Sequence, residues 1–103
     1  MLFLYSVYNT GMKESAYFRS IFDVVEFMIG KKLPDTGKRL IINYIESSAS
    51  VTMAGRARDA VMRYTQEDIP TLDEIRQRHA VDEMSRMDHL VLKLEFQSRR
   101  LSP

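Results

Sequence analysis

The sequence predicts an α+β fold: a four-stranded antiparallel sheet with two helices on one face, in the ferredoxin-like order β-α-β-β-α-β. Three observations carry that expectation. Residues 70–96 open with helix signals and close in a run that alternates apolar and polar positions. Residues 1–8 are rich in aromatic and branched side chains. Residues 12–29, between them, repeat apolar side chains at helical spacing. A strand at the far end of the chain needs a sheet to join, and the remaining segments are read as supplying it.

Met1 to Tyr8, MLFLYSVY, is largely apolar on both faces, which suits a central strand. Asn9, Thr10 and Gly11 break it. From Met12 to Ile29 a helix is expected. Phe18, Ile21, Phe22, Val25, Met28 and Ile29 form its apolar stripe, with Lys13, Glu14, Arg19, Asp23 and Glu26 on the other side. Arg19 and Asp23 are spaced to pair. Gly30 suits a C-cap, and Lys31 and Lys32 suit the negative helix end. Pro34, Asp35 and Gly37 then make a turn.

Lys38 to Glu46, KRLIINYIE, fits either a strand or a helix; its isoleucines, its tyrosine and its length favour the strand. Ser47 to Asp59 reads as a long hairpin connection, with a short extra strand near Val51 to Met53. Ala60 to Tyr64, AVMRY, is the third strand, and Thr65 to Pro70 loops back. Pro70, Thr71 as N-cap and Glu74 three residues on announce the second helix. Leu72, Ile75 and His79 keep its spacing, and Met84 and Met87 pack at its end. Leu90, Leu92, Leu94 and Phe96 alternate with Val91, Lys93 and Glu95 as the last strand. One domain is expected over residues 1–97, with residues 98–103 as a short basic tail carrying Arg99 and Arg100.

The bulk numbers narrow the classes. A chain of 103 residues with 45% hydrophobic and 28% charged side chains suits one folded domain. No run reaches the ~18 apolar residues of a membrane span. Residues 1–11 lack the basic start and small-residue cleavage site of a signal peptide. The absence of cysteine removes disulfides and thiolate metal sites. A net charge of +1 argues against binding nucleic acid by charge alone. The charge is unevenly spread, however. Residues 30–64 hold seven basic against three acidic side chains, and residues 66–88 hold the reverse. That polarity suits one face toward a polyanion and another toward a basic partner, or two solvated faces with no partner.

His79, Asp82 and Glu83 sit at ligand spacing on the expected helix, but two acids and one histidine on a polar face read as solvated. Residues 30–38, GKKLPDTGK, resemble a phosphate loop only loosely, with Arg39 where a Ser or Thr should hold magnesium. No Ser/His/Asp set or carboxylate pair has the spacing of a catalytic centre. Hence no metal, no cofactor and no enzymatic activity are expected. Two features carry a binding reading. Lys38 and Arg39 follow Gly37 on a turn, where they can reach phosphates. Arg56 and Arg58 flank a Gly-containing loop, a way of presenting cations to RNA.

Three stretches resemble the family of the sixth protein of the bacterial-type small ribosomal subunit. That family runs Gly, any, Arg, any, Leu, Ala, Tyr, any, Ile; here Gly37, Arg39 and Ile45 match, Ile41 takes the Leu place, and Ile42 and Asn43 depart from the Ala and Tyr. Val61-Met62-Arg63-Tyr64, an acidic loop, Pro70 and Leu72-Asp73-Glu74-Ile75 are similar to its third strand and second helix. Met87 to Lys93, MDHLVLK, is similar to its closing strand, with Asp88 in place of the usual Arg and Met87 in place of Leu.

The resemblance implies a structural constituent of the small-subunit platform, in a divergent copy more like a mitochondrial-ribosome member. It implies binding to small-subunit rRNA together with the basic eighteenth protein of that subunit, beside other small-subunit proteins. It places rRNA contacts on Lys38, Arg39, Arg56, Arg58, Arg63 and Lys93, and makes Tyr5, Tyr44 and Tyr64 candidates for the protein partner. Two other classes compete. One is a ferredoxin-like homo-oligomeric or regulatory module with no RNA binding. The other is a small helical interaction protein, such as a phage-encoded inhibitor, which requires residues 36–66 and the last strand to be helical.

Overall fold

The computed structural model describes residues 12–78 and 84–101, and these are arranged as five helices. They are α1 (Met12–Ile29), α2 (Asp35–Ser47), α3 (Met53–Thr65), α4 (Leu72–Arg78) and α5 (Arg86–Leu101). There is no strand among the described residues. The ferredoxin-like sheet is therefore corrected to an all-helical bundle. The condition set for the helical interaction protein is met in both places: residues 36–66 are mainly helical, and so is the expected last strand. The expected first strand, with Tyr5, lies outside the described residues, as do His79, Asp82 and Glu83.

α1 forms where its stripe placed it. Phe18, Ile21, Phe22 and Val25 are buried, and Tyr17 and Val24 widen the stripe into a broad apolar face. Arg19 and Asp23 meet at 3.8 Å. Gly30 ends the helix with φ +74°, the left-handed region that a side chain resists, and its N–H donates to the Glu26 carbonyl at 2.9 Å. Glu26 also accepts the Leu33 N–H at 2.8 Å, which turns the chain into α2.

α2, α3 and α5 are the corrections. Gly37, Ile41 and Ile45 are buried at four-residue spacing, so KRLIINYIE is a helix whose isoleucines face one core rather than two sheet faces. Helix propensity is a weak prior, and packing overrides the β-branched side chains. Pro34 precedes the first residue of α2, so the expected turn is the start of a helix. The expected hairpin connection contains the start of α3: Thr52 is its N-cap, its hydroxyl accepting the Gly55 N–H at 2.9 Å. Ala57, Ala60 and Val61 are buried, small enough for neighbouring helices to approach closely.

In α5, Leu90, Val91, Leu94 and Ser98 are buried at helical spacing, while Phe96 is 60% exposed. The alternation that suggested a strand is thus scattered around a helix. Ser85 and Asp88 cap α5 reciprocally: the Asp88 N–H donates to Ser85 Oγ at 3.1 Å, and the Ser85 N–H donates to Asp88 Oδ2 at 3.4 Å. The helix continues without a break to Leu101.

The expected capping signal at α4 holds. The Glu74 N–H donates to Thr71 Oγ1 at 3.1 Å, and the Thr71 hydroxyl donates to the Glu74 carboxylate. One core joins the layers. α1 packs chiefly on α5, α2 on α3, and α3 on both α1 and α5. Tyr17, Ile21, Val24, Ile41, Ile45, Val61, Val91 and Leu94 lie at its centre.

Candidate functional site

The arginines singled out in the sequence are held by the fold. Arg56 Nη1 donates at 3.0 Å to the Ile45 carbonyl in the last turn of α2, and that carbonyl also accepts the Ser48 N–H at 3.4 Å. Arg58 donates to the Pro70 carbonyl at 2.7 Å and the Ile69 carbonyl at 3.0 Å, fastening the loop before α4 onto α3. Arg63 lies 4.3 Å from the centre of the Tyr44 ring, donates to Ser47 Oγ at 3.2 Å and approaches Asp59 at 3.7 Å. Tyr44 is therefore half-buried beneath a cation. Tyr64 is half-buried too, its hydroxyl 2.7 Å from the point where a Cβ on Gly37 would stand. Lys93 is exposed on α5, away from these contacts.

Lys38 and Arg39 have a different setting. They lie early on α2, one turn before Ile42, and face α1 across an open groove. The groove has two hollows that share Phe22, Lys38 and Ile42. One, of about 250 Å³, extends along α1 past Phe18 and Arg19 to Ser15 and Glu14. The other, of about 300 Å³, extends over Arg39 to Asp35 at the start of α2. Its floor is apolar, with Phe18 and Phe22 stacked at 6.3 Å between ring centres. The Lys38 ammonium stands 5.7 Å from the centre of the Phe22 ring. Among the described residues, neither Lys38 nor Arg39 has a carboxylate within 4.0 Å, whereas Arg19 is paired with Asp23.

Sequence reasoning found Lys38 and Arg39 and gave Phe18 and Phe22 to the core, where they are buried, but did not place them beside Lys38. Phe18 and Phe22 are both in the apolar stripe of α1, and Ile42 was set on a strand. The signal that relates them is two i,i+4 pairs, Phe18 with Phe22 and Lys38 with Ile42, on two neighbouring helices. A second exposed apolar place surrounds Phe96 between α4 and α5, beside Leu72, Leu92, Arg76 and Arg99. Among the described residues no group of three metal-ligating side chains converges, and no helix is long and apolar enough to cross a membrane. No protein-family model, curated protein or solved structure matches the chain.

Proposed function

We propose that this chain is a small helical interaction protein that acts by engaging another protein through the α1–α2 groove. The observation that carries this reading is the groove itself: the largely buried Phe18 and Phe22 and the half-buried Ile42 line it beside Lys38 and Arg39, which have no carboxylate within 4.0 Å among the described residues. Each hollow is at or below the ~300–1,000 Å³ of small-molecule pockets and is open to solvent, which favours protruding side chains over an enclosed cofactor. The rRNA-binding reading came from a resemblance to a family whose sheet the helices here replace. Three of its six cations, Arg56, Arg58 and Arg63, are engaged with carbonyls, a hydroxyl or a ring of the chain itself.

Sedimentation of the tagged chain from the cells that express it tests the reading. The expected result is a complex with one or a few proteins that survives RNase and dissolves with Ile42→Glu. Comigration with the small ribosomal subunit, lost on RNase treatment, would overturn the reading in favour of rRNA binding.

A further inference from the structure

We infer that Phe96 and the cations around it dock onto a second copy of this chain, with the ring seated in that copy's hollow between α3 and α4. This goes beyond the groove reading and uses a separate surface. Phe96 is 60% exposed, more than any other aromatic side chain among the described residues. It stands two residues from the buried Leu94 and Ser98, which at about 100° per residue turns it away from the core. Leu72 and Leu92, both half-buried, lie beside it along a hollow of about 220 Å³ between α4 and α5. Lys93, Arg99 and Arg100 fall three or four residues from Phe96 on α5, and Arg76 lines the same hollow from α4. The Arg100 guanidinium is 5.9 Å from the ring centre. Among the described residues none of these four cations has a carboxylate within 4.0 Å, and Glu95 is the one acid in the lining. Aromatic side chains and arginine are the residues enriched where protein interfaces form.

The complement lies on the other side of α4. A hollow of about 410 Å³ between α3 and α4 is lined by Met62, Ile69 and Pro70 together with Asp68 and Glu74. Its two arginines are engaged: Arg58 holds the Ile69 and Pro70 carbonyls, and Arg78 holds Asp88 at 2.8 Å. With Arg78 balanced by Asp88, Arg58 alone is set against Asp68 and Glu74, and Glu67 and Asp73 add two exposed carboxylates next to them in sequence. Among the described residues none of these four acids has a cation within 4.0 Å. The hollow therefore joins apolar walls to negative charge, and the Phe96 surface joins an apolar ring to positive charge. Leu72 and Arg76 line one hollow, and Glu74 and Arg78 the other; at about 100° per residue these pairs lie on opposite sides of α4. The ring of one copy therefore cannot enter its own hollow, and the contact joins unlike surfaces head to tail. A long polyanion would meet the same cations, but Asp73 and Glu74, on the same short helix as Arg76, oppose it.

Sedimentation velocity on the purified full chain tests the contact. The sedimentation coefficient should rise with protein concentration at ~0.1 M salt and return to the monomer value at ~1 M, where charges are screened beyond about 3 Å. Two variants separate the surfaces. Phe96→Ala with Arg99→Ala removes the ring side, and Glu67→Lys with Asp68→Lys reverses the hollow side; all four positions are exposed. Each variant alone should associate roughly tenfold or more weakly, as loss of an anchoring contact does, with helical circular dichroism unchanged. Because each keeps the surface that the other lacks, an equimolar mixture should form a 1:1 dimer and nothing larger. Ile42→Glu, in the α1–α2 groove, should self-associate as the wild type does, so failure here and failure of the groove reading are distinguishable. A chain that stays monomeric at every concentration overturns the second copy as occupant. Association that survives both variants, that is lost with Ile42→Glu, or that the mixture fails to restore overturns the head-to-tail seat.

Discussion

Arg58 on α3 donates to two loop carbonyls, while Arg39 on α2 meets no carboxylate among the described residues. The two side chains are the same, and both lie in the basic middle of the sequence. They differ in what the fold brings near them. α3 starts beside the end of α2 and runs past the loop before α4, where backbone carbonyls lack helical partners. A guanidinium there becomes a clamp, because it can satisfy two acceptors at once. The early residues of α2 face α1, whose own carbonyls are paired, so among the described residues Lys38 meets only the Phe22 ring and Arg39 no carboxylate. A run of cations in a sequence is thus divided by the fold into those that close it and those that remain free to act on something else.

Substitutions can break that comparison. The largest effect is expected at Arg58. Arg58→Met removes two charge-assisted bonds to carbonyls and should cost about 2–3 kcal/mol in urea denaturation. Lys38→Met and Arg39→Met should each stay within about 0.5 kcal/mol, as surface changes do. Equal losses at the two places would erase the distinction. Arg56→Met, which leaves the Ile45 carbonyl with the Ser48 N–H alone, should fall between them at about 1 kcal/mol. A smaller effect sharpens the clamped side.

Tyr17 donates to the Met53 carbonyl at 2.8 Å at the start of α3. Burial pushes its hydroxyl well above the ordinary value near 10, with Arg56 pulling the other way. The folded chain keeps this proton where the unfolded chain releases it. Its contribution is therefore complete below about pH 10 and is lost as pH rises further. Tyr17→Phe should cost about 1 kcal/mol at neutral pH. Its stability should also fall less steeply than the wild type's between about pH 10 and 12; parallel slopes would remove Tyr17 as a source.

Much of α1 was legible because its periodicity persists over 18 residues and ends on a glycine. The Thr71–Glu74 cap was legible because it is local. What failed were short windows in which strand and helix patterns coincide. Ile41, Ile42 and Ile45 satisfy a strand by residue type and a helix by spacing. Leu90, Leu92 and Leu94 alternate, yet Leu90, Val91, Leu94 and Ser98 also repeat every three or four residues. The deciding signals were the caps, Thr52 for α3 and Ser85 with Asp88 for α5. At the groove, Lys38 and Arg39 were legible as charge. Its lining by two helices together was not, because the pairing of Phe22 with Lys38 and Ile42 leaves no mark in either helix alone.

The packing of α1 on α5 has a consequence for synthesis. α1, with Ile21, Val24 and Val25 on its buried face, is made well before α5, the helix that packs most on it. At ~5–20 residues per second the intervening chain takes several seconds to appear. During that interval α2 and α3, close neighbours in sequence, can already lie together. The nascent chain therefore presents a sticky, partly uncovered helix until α5 emerges, and it is in that window that a chaperone would find it.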